Sequence, residues 1–227
     1  DYRRRQELIH MTDFIIRIPR EIPASGLQDL FVRRPPEWIH YEGLHRELIL
    51  WGDPAGGDEF VRTIEGPTGP DQILSRVYGH YYFLLLKKQE REIIAGNSFL
   101  SILPVYYCEI NGETVLSGNA INLGKHLGLE VISRRFILET VLFNYPLFNR
   151  SLVEKISLLQ SNSYMKLSQG ALTFMKHTRI EDYFSSDPVP WRKAAGMLTD
   201  AFLETVKKYL PSGKYINALT GGFDSRT

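Results

Sequence analysis

The most chemically suggestive spacing in the chain is Thr220-Gly221-Gly222-Phe223-Asp224-Ser225, which directly follows a short β-prone run over residues 215–219. Two adjacent glycines let the backbone turn through positive φ and approach a ligand closely. Backbone N–H groups and the flanking hydroxyls can then donate to anionic oxygens. That combination suits a pyrophosphate. The Gly-x4-Gly-Lys-[Ser/Thr] spacing of a Walker A loop is absent. The plain alternative is a strand–turn in which the glycines serve geometry alone.

Other reactive side chains are sparse. Cys108 is the single cysteine, so the chain has no internal disulfide framework and no cysteine-based zinc site. It falls in an expected strand, where a small buried residue is the default reading and a nucleophile the exception. Asp53, Asp58 and Glu59 surround a glycine loop and could bind a cation, but no His or further carboxylate completes a set. His40 and His45 lie five apart and on opposite faces if the strand is continuous, so they do not form a ligand pair. Glu181-Asp182 reads as a strand-end turn, and Arg33-Arg34 and Arg134-Arg135 as solvated basic pairs.

Composition narrows the class. At 227 residues, 43% hydrophobic and 23% charged, the chain has ample material for a core and an ordinary globular make-up. A net charge of +1 argues against a dedicated nucleic-acid binder. No apolar run reaches the roughly 18 residues of a membrane span, and no signal-peptide pattern opens the sequence. The expectation is a cytoplasmic protein. The start at Asp1 without Met, and the stop two residues after Ser225, lead us to expect a fragment of a longer chain.

The elements that must position these residues follow from periodicity. Alternation predicts strands over residues 13–18, 39–41, 46–51 and 60–64, with a helical turn over 27–32 and a loop over 54–58. A helix is expected over 71–77. The run His80-Tyr-Tyr-Phe-Leu-Leu-Leu86 reads as a strand buried on both faces. Strands over 92–95, 104–110 and 114–117 follow, the last two joined by a type I′ turn at Asn111-Gly112. Helices are expected over 119–127 and 133–143, with Ser133 as N-cap. Strands over 152–159, 163–167 and 171–175 come next. Residues 187–190 read as a linker, and 191–210 as a helix with Ala194, Leu198, Ala201, Phe202, Thr205 and Tyr209 on one stripe. Consecutive hairpins imply antiparallel sheets.

Several of these stretches resemble a known family when taken together. Residues 220–225 resemble the PP-loop (Ser-Gly-Gly-x-Asp-Ser) of the ATP-pyrophosphatase group, with Thr220 at the usual first Ser and Arg226 where a small hydroxyl residue is usual. Gly79-x-Tyr-x-Phe-Leu-Leu-Leu, then Ile94-Ala-Gly-Asn97-Ser98 running on to Pro104-Val-Tyr-Tyr107, then Val115-Leu-Ser-Gly-Asn119-Ala-Ile-Asn-Leu123, resemble the glutaminase domain of asparagine synthetases. Residues 152–165 resemble that family's Gly-Ile-x-x-Leu-x-Pro-Gly-His segment. The similarity in order spans residues 70–227.

The resemblance implies an α+β chain. A glutaminase-like N-terminal-nucleophile (Ntn) domain, an αββα sandwich of two antiparallel sheets, would occupy 1–185, and the first helix and strand of an α/β PP-loop domain would occupy 186–227. The intact protein would be an ATP-dependent amide-forming ligase using ATP and Mg²⁺. A small-molecule or peptide carboxylate would be adenylated, and an amine or ammonia would then displace AMP, as in the related β-lactam synthetases and lasso-peptide cyclases. Thr220, Gly221, Gly222, Asp224 and Ser225 would hold the pyrophosphate. In the glutaminase part the family's Arg-Asp falls on Asn97-Ser98 and its Ser-Glu on Gly118-Asn119. Its nucleophilic cysteine has no counterpart, and its Asn-Gly-Glu has no convincing one. Asn97, Ser98 and Asn119 are therefore expected to be degenerate glutamine-site positions. Neither a nucleic acid nor a membrane is an expected partner, and a homodimer is allowed. Two alternatives stand beside this reading: a non-catalytic Ntn-like binding scaffold, and an active glutaminase whose cysteine segment is missing from the chain.

Overall fold

The computed structural model describes residues 11–22, 26–62, 69–98, 103–177, 181 and 188–209. The chain divides into two compact units, Asp1–Phe184 and Ser185–Thr227.

The first unit is built on one strand. β5 (Tyr78–Lys87) has six consecutive buried residues, 81–86. Because successive side chains of a strand point to opposite faces, Tyr82, Leu84 and Leu86 enter one apolar cluster while Tyr81, Phe83 and Leu85 enter another. A strand buried on both faces needs a layer on each side, and the rest of the unit supplies them. β5 pairs antiparallel with β4 (Arg46–Ala55) and with β6 (Glu92–Asn97). β3 (Ile39–Glu42), β10 (Ser163–Ser168) and β11 (Ala171–Lys176) complete a six-stranded sheet in the order β11-β10-β6-β5-β4-β3.

The second sheet, in the order β2-β1-β8-β7-β9, comprises β1 (Ile15–Pro19), β2 (Phe31–Arg33), β7 (Tyr106–Ile110), β8 (Glu113–Ser117) and β9 (Ser157–Leu158). Phe14, Ile16, Ile18 and Leu116 from this side meet Ile49, Trp51, Tyr82, Leu84 and Met165 from the first sheet in the main core. On the outer face of the six-stranded sheet, Phe60 of α1 (Gly57–Arg62) and Ile73 of α2 (Pro70–Arg76) cover Leu48, Leu50 and Phe83. On the outer face of the five-stranded sheet, Ala120 and Leu123 of α3 (Ala120–Leu127) cover Ile15, Cys108 and Val115. The layers run helix, sheet, sheet, helix, which is the expected αββα sandwich of two antiparallel sheets. α4 (Arg134–Phe143) starts at the N-cap Ser133, whose hydroxyl accepts from the Phe136 N–H. In the second unit, α5 (Trp191–Tyr209) is the described element.

Several local expectations hold for clear reasons. Asn111 and Gly112 both have positive φ (52° and 78°), as a type I′ hairpin requires. Gly79, at φ +97°, lies so close to β4 that an added Cβ would sit 2.1 Å from the Asp53 carbonyl oxygen, so no side chain fits there.

Three expectations need correction. Of the strand expected over 60–64, residues 60–62 are helical instead, and 63 and 64 lie outside the described residues; Gly56 turns the chain at φ +79°, and Gly57–Arg62 is helical so that Phe60 can reach the outer core. The 54–58 loop is shorter than expected, since β4 continues to Ala55. Residues 152–159 form only the two-residue β9 and isolated bridges, because the Ser151 hydroxyl bonds Val153 on both its N–H and C=O and Lys155 adopts φ +67°. The expected strand at 215–219 lies outside the described residues.

Leu84 is fully buried at the centre of the main core. Leu84→Ala should lower the unfolding free energy by about 2–5 kcal/mol through lost transfer energy and the residual cavity, measured by urea denaturation.

Candidate functional site

The pyrophosphate-loop positions Thr220, Gly221, Gly222, Asp224 and Ser225 lie outside the described residues. Asn97, Ser98 and Asn119, the expected glutamine-site positions, lie within the described residues.

β5–β6 pairing sets Asn97 opposite Tyr82. The Asn97 amide Nδ2 donates to the Leu103 carbonyl at 2.6 Å. Ser98 is buried, and its hydroxyl accepts from the Tyr81 N–H at 3.3 Å while its own N–H donates to the Tyr81 carbonyl. Asn119 is the N-cap of α3. Its Oδ1 accepts from the Ile121 and Asn122 N–H groups at 2.9 and 3.1 Å, satisfying donors that a helix start leaves open. All three polar side chains are thus engaged by their own backbone surroundings. At Gly118 no side chain can enter at all: a Cβ would lie 2.6 Å from the Tyr82 hydroxyl and 2.8 Å from the Thr12 backbone.

Tyr82 joins these positions, being opposite Asn97 in register and beside Gly118 at its hydroxyl, which donates to the Pro104 carbonyl at 3.0 Å. Its ring stacks on Trp51 (5.3 Å between centroids, 21°), and Phe14 meets both edge-on at about 5 Å. Burial raises the Tyr82 phenol far above its ordinary range, with Tyr106 adding to the effect. Trp51 is 2% exposed, and its Nε1–H has no hydrogen-bond partner. The space between the sheets at this end is therefore filled by three aromatic rings. Sequence reasoning missed this plug. Its signal was Trp51 at the end of the β4 alternation, in phase with Ile49.

Cys108 is 4% exposed, among Ile15, Val115 and Leu123. Burial, then the neighbouring Glu109, pushes its thiol up, the opposite of nucleophile activation. Asp53, Asp58 and Glu59 do not converge, and no group of three His, Cys, Asp or Glu residues suited to a metal ion occurs among the described residues.

A second missed constellation involves His40. The chain turns over residues 43–45 between the two expected strands, so His40 lies in β3 and His45 in the turn, and they form no ligand pair. Glu47 is in phase with Ile49 and Trp51 and points inward, 1% exposed. Its carboxylate accepts from the Leu27 N–H at 2.8 Å and from His40 Nε2 at 2.9 Å, while His40 Nδ1 accepts from the Gln28 amide at 3.0 Å. A side chain at Gly26 would collide with that carboxylate. The arrangement clasps the segment before β2 onto the sheet and needs no ligand to explain it. His45 Nδ1 is engaged separately, by Gln89.

A second buried carboxylate, Glu92, is gripped by Lys87 (2.9 Å) and Lys166. Burial alone would raise its pKa, but the hydrogen bonds from the two lysines outweigh it and hold the carboxyl below its ordinary value.

No family model matches the sequence, and no curated protein matches it. Among solved structures, the chain is similar to a glutamine phosphoribosylpyrophosphate amidotransferase from B. subtilis complexed with ADP and GMP. The two are 10% identical with a TM-score of 0.40, over 76% of this chain and 45% of that one. It is also similar to a structure described as the allosteric regulatory enzyme of purine biosynthesis, at 9% identity and TM-score 0.41, with the same coverage. The chain thus spans less than half the length of either. Among the described residues, no helix is long and apolar enough to cross a membrane.

Two stability measurements test these assignments. Glu47→Ala leaves the Leu27 N–H and His40 without their shared acceptor and should destabilise the fold by about 3–5 kcal/mol, read by chemical denaturation. Because the Glu92 pKa is depressed in the fold, its contribution is present above the unfolded value near 4.5 and is lost as pH falls below that. Between pH 5 and about pH 2, Glu92→Gln should therefore lose less stability than the parent.

Proposed function

We propose that residues 1–185 are a glutaminase-like scaffold without glutaminase chemistry, and that this chain belongs to an ATP-dependent carbon–nitrogen ligase resembling the asparagine synthetases. The observation that carries the first half is the aromatic plug of Phe14, Trp51 and Tyr82, together with Asn97, Ser98 and Asn119 bound to their own backbone. A glutaminase needs an activated nucleophile and polar groups free to hold an amino-acid substrate. Here the equivalent space is apolar and the equivalent polar groups are already satisfied. The second half is supported by the order of motifs over residues 70–227, ending in Thr220-Gly221-Gly222-Phe223-Asp224-Ser225.

In this reading ATP, with Mg²⁺, transfers its adenylyl group to a substrate carboxylate, breaking the α–β phosphoanhydride and releasing pyrophosphate. Free ammonia or an amine on the substrate then attacks the acyl-adenylate, forming the amide and releasing AMP. The Gly221-Gly222 turn, Thr220 and Ser225 would donate to the pyrophosphate, and Asp224 would serve its Mg²⁺. Nitrogen would not come from glutamine.

Carboxylate-dependent ATP–pyrophosphate exchange tests the ligase half, using a chain that carries residues 1–227 and any continuation. Exchange should appear with a small-molecule or peptide carboxylate, vanish in Asp224→Ala and persist in Cys108→Ala. Ammonia release from glutamine should be absent throughout. Exchange with no carboxylate would favour a non-catalytic scaffold, and ammonia release would mean a working glutaminase.

A further inference from the structure

α4 is built inside out. Of its ten residues the one buried is Glu139, and the apolar residues Ile137, Leu138, Val141 and Leu142 face solvent, Val141 at 75% exposure. The inward Glu139 is held firmly: its carboxylate accepts from Arg150 Nη1 at 2.6 Å and the Leu147 N–H at 2.9 Å, and pairs with Arg135 one turn away. The helix therefore cannot rotate its apolar stripe inward without breaking a buried charge network. The exposed stripe consists of Ile137, Leu138, Val141 and Leu142, at 46%, 57%, 75% and 63% exposure, and contiguous apolar surface of this kind is a common mark of a protein–protein contact.

The charges on α4 indicate what covers it. The first turn carries Arg134 and Arg135 and no acid, and the last turn carries no base. Cations at the positive end of a helix and bare carbonyls at the negative end are the reverse of the favourable arrangement. At 100° per residue, Arg134 lies on the same stripe as Ile137, Leu138 and Val141, and it makes no ion pair among the described residues. A second α4 laid antiparallel across this face would bring each Arg134 over the other's C-terminal turn. Both mismatches would be relieved while the stripes bury each other. Such a contact is self-complementary, as a two-fold interface must be.

We propose that the α4 face is a homodimer interface, formed by antiparallel packing of α4 from two copies of this chain. Sedimentation velocity across a concentration series tests it. A dimer is expected, with Leu138→Asp combined with Val141→Asp weakening association at least 100-fold and Arg134→Glu weakening it about 10-fold. Because these side chains are exposed, far-ultraviolet circular dichroism should stay unchanged, while the unfolding midpoint should fall only at concentrations where the parent is dimeric. In a Cys108→Ala background, Leu138→Cys, midway between Arg134 and the C-terminal turn and so nearest the two-fold axis, should form a symmetric intermolecular disulfide. A monomer at 100 times the concentration of the dimer midpoint expected for micromolar association overturns the proposal, as does a dimer indifferent to the double substitution.

Discussion

Double-sided burial of β5 is the constraint on which the first unit depends. Six successive large apolar side chains cannot be covered by one neighbour, because alternate residues face opposite ways. One face demands the five-stranded sheet and the other demands α1 and α2. Once those layers exist, the five-stranded sheet has an outer face of its own, and α3 covers it through Ala120 and Leu123. The four-layer arrangement is thus the solution to a burial problem set by one strand, and the antiparallel pairing follows from the short hairpins that connect its neighbours.

The same strand decides what the space between the sheets can do. Tyr82 points from β5 into the space between the sheets and packs with Trp51 and Phe14 in a close aromatic cluster. Packing of this kind is rigid and dry. It leaves a buried indole N–H without a partner, a small penalty accepted within an otherwise apolar core. The nearby polar side chains serve structure: Asn119 caps a helix, Ser98 secures a strand end and Asn97 ties down the chain before Pro104.

Buried charge is used sparingly and always with partners. Glu47, Glu92 and Glu139 each accept from two or more donors, as carboxylates taken out of water must. The first two clasp segments to the six-stranded sheet. Glu139 instead orients α4, so that a charge network fixes which face of that helix meets solvent.

The order of elements was largely legible in the sequence. Period-2 runs marked most strands, Asn111-Gly112 marked its hairpin, and Ser133 and Asn119 marked helix starts, because these signals act over a few residues. Double burial of residues 81–86 was legible for the same reason. Failures arose where local pattern and tertiary demand diverged. Residues 60–62, strand-like in pattern, are helical and deliver Phe60 to the outer core, and 152–159 gave way to a hydroxyl-stabilised turn at Ser151. The pairing of His40 with Glu47, the meeting of Phe14, Trp51 and Tyr82, and the outward turn of α4 all join residues distant in sequence or depend on which face a charge network selects. Sequence by itself determined the strands and the turns, because those signals act over a few residues. Only the tertiary structure decided that Phe14, Trp51 and Tyr82 fill the space between the sheets, because that depends on side chains distant in sequence, from β4, β5 and the residue before β1, converging from both sheets.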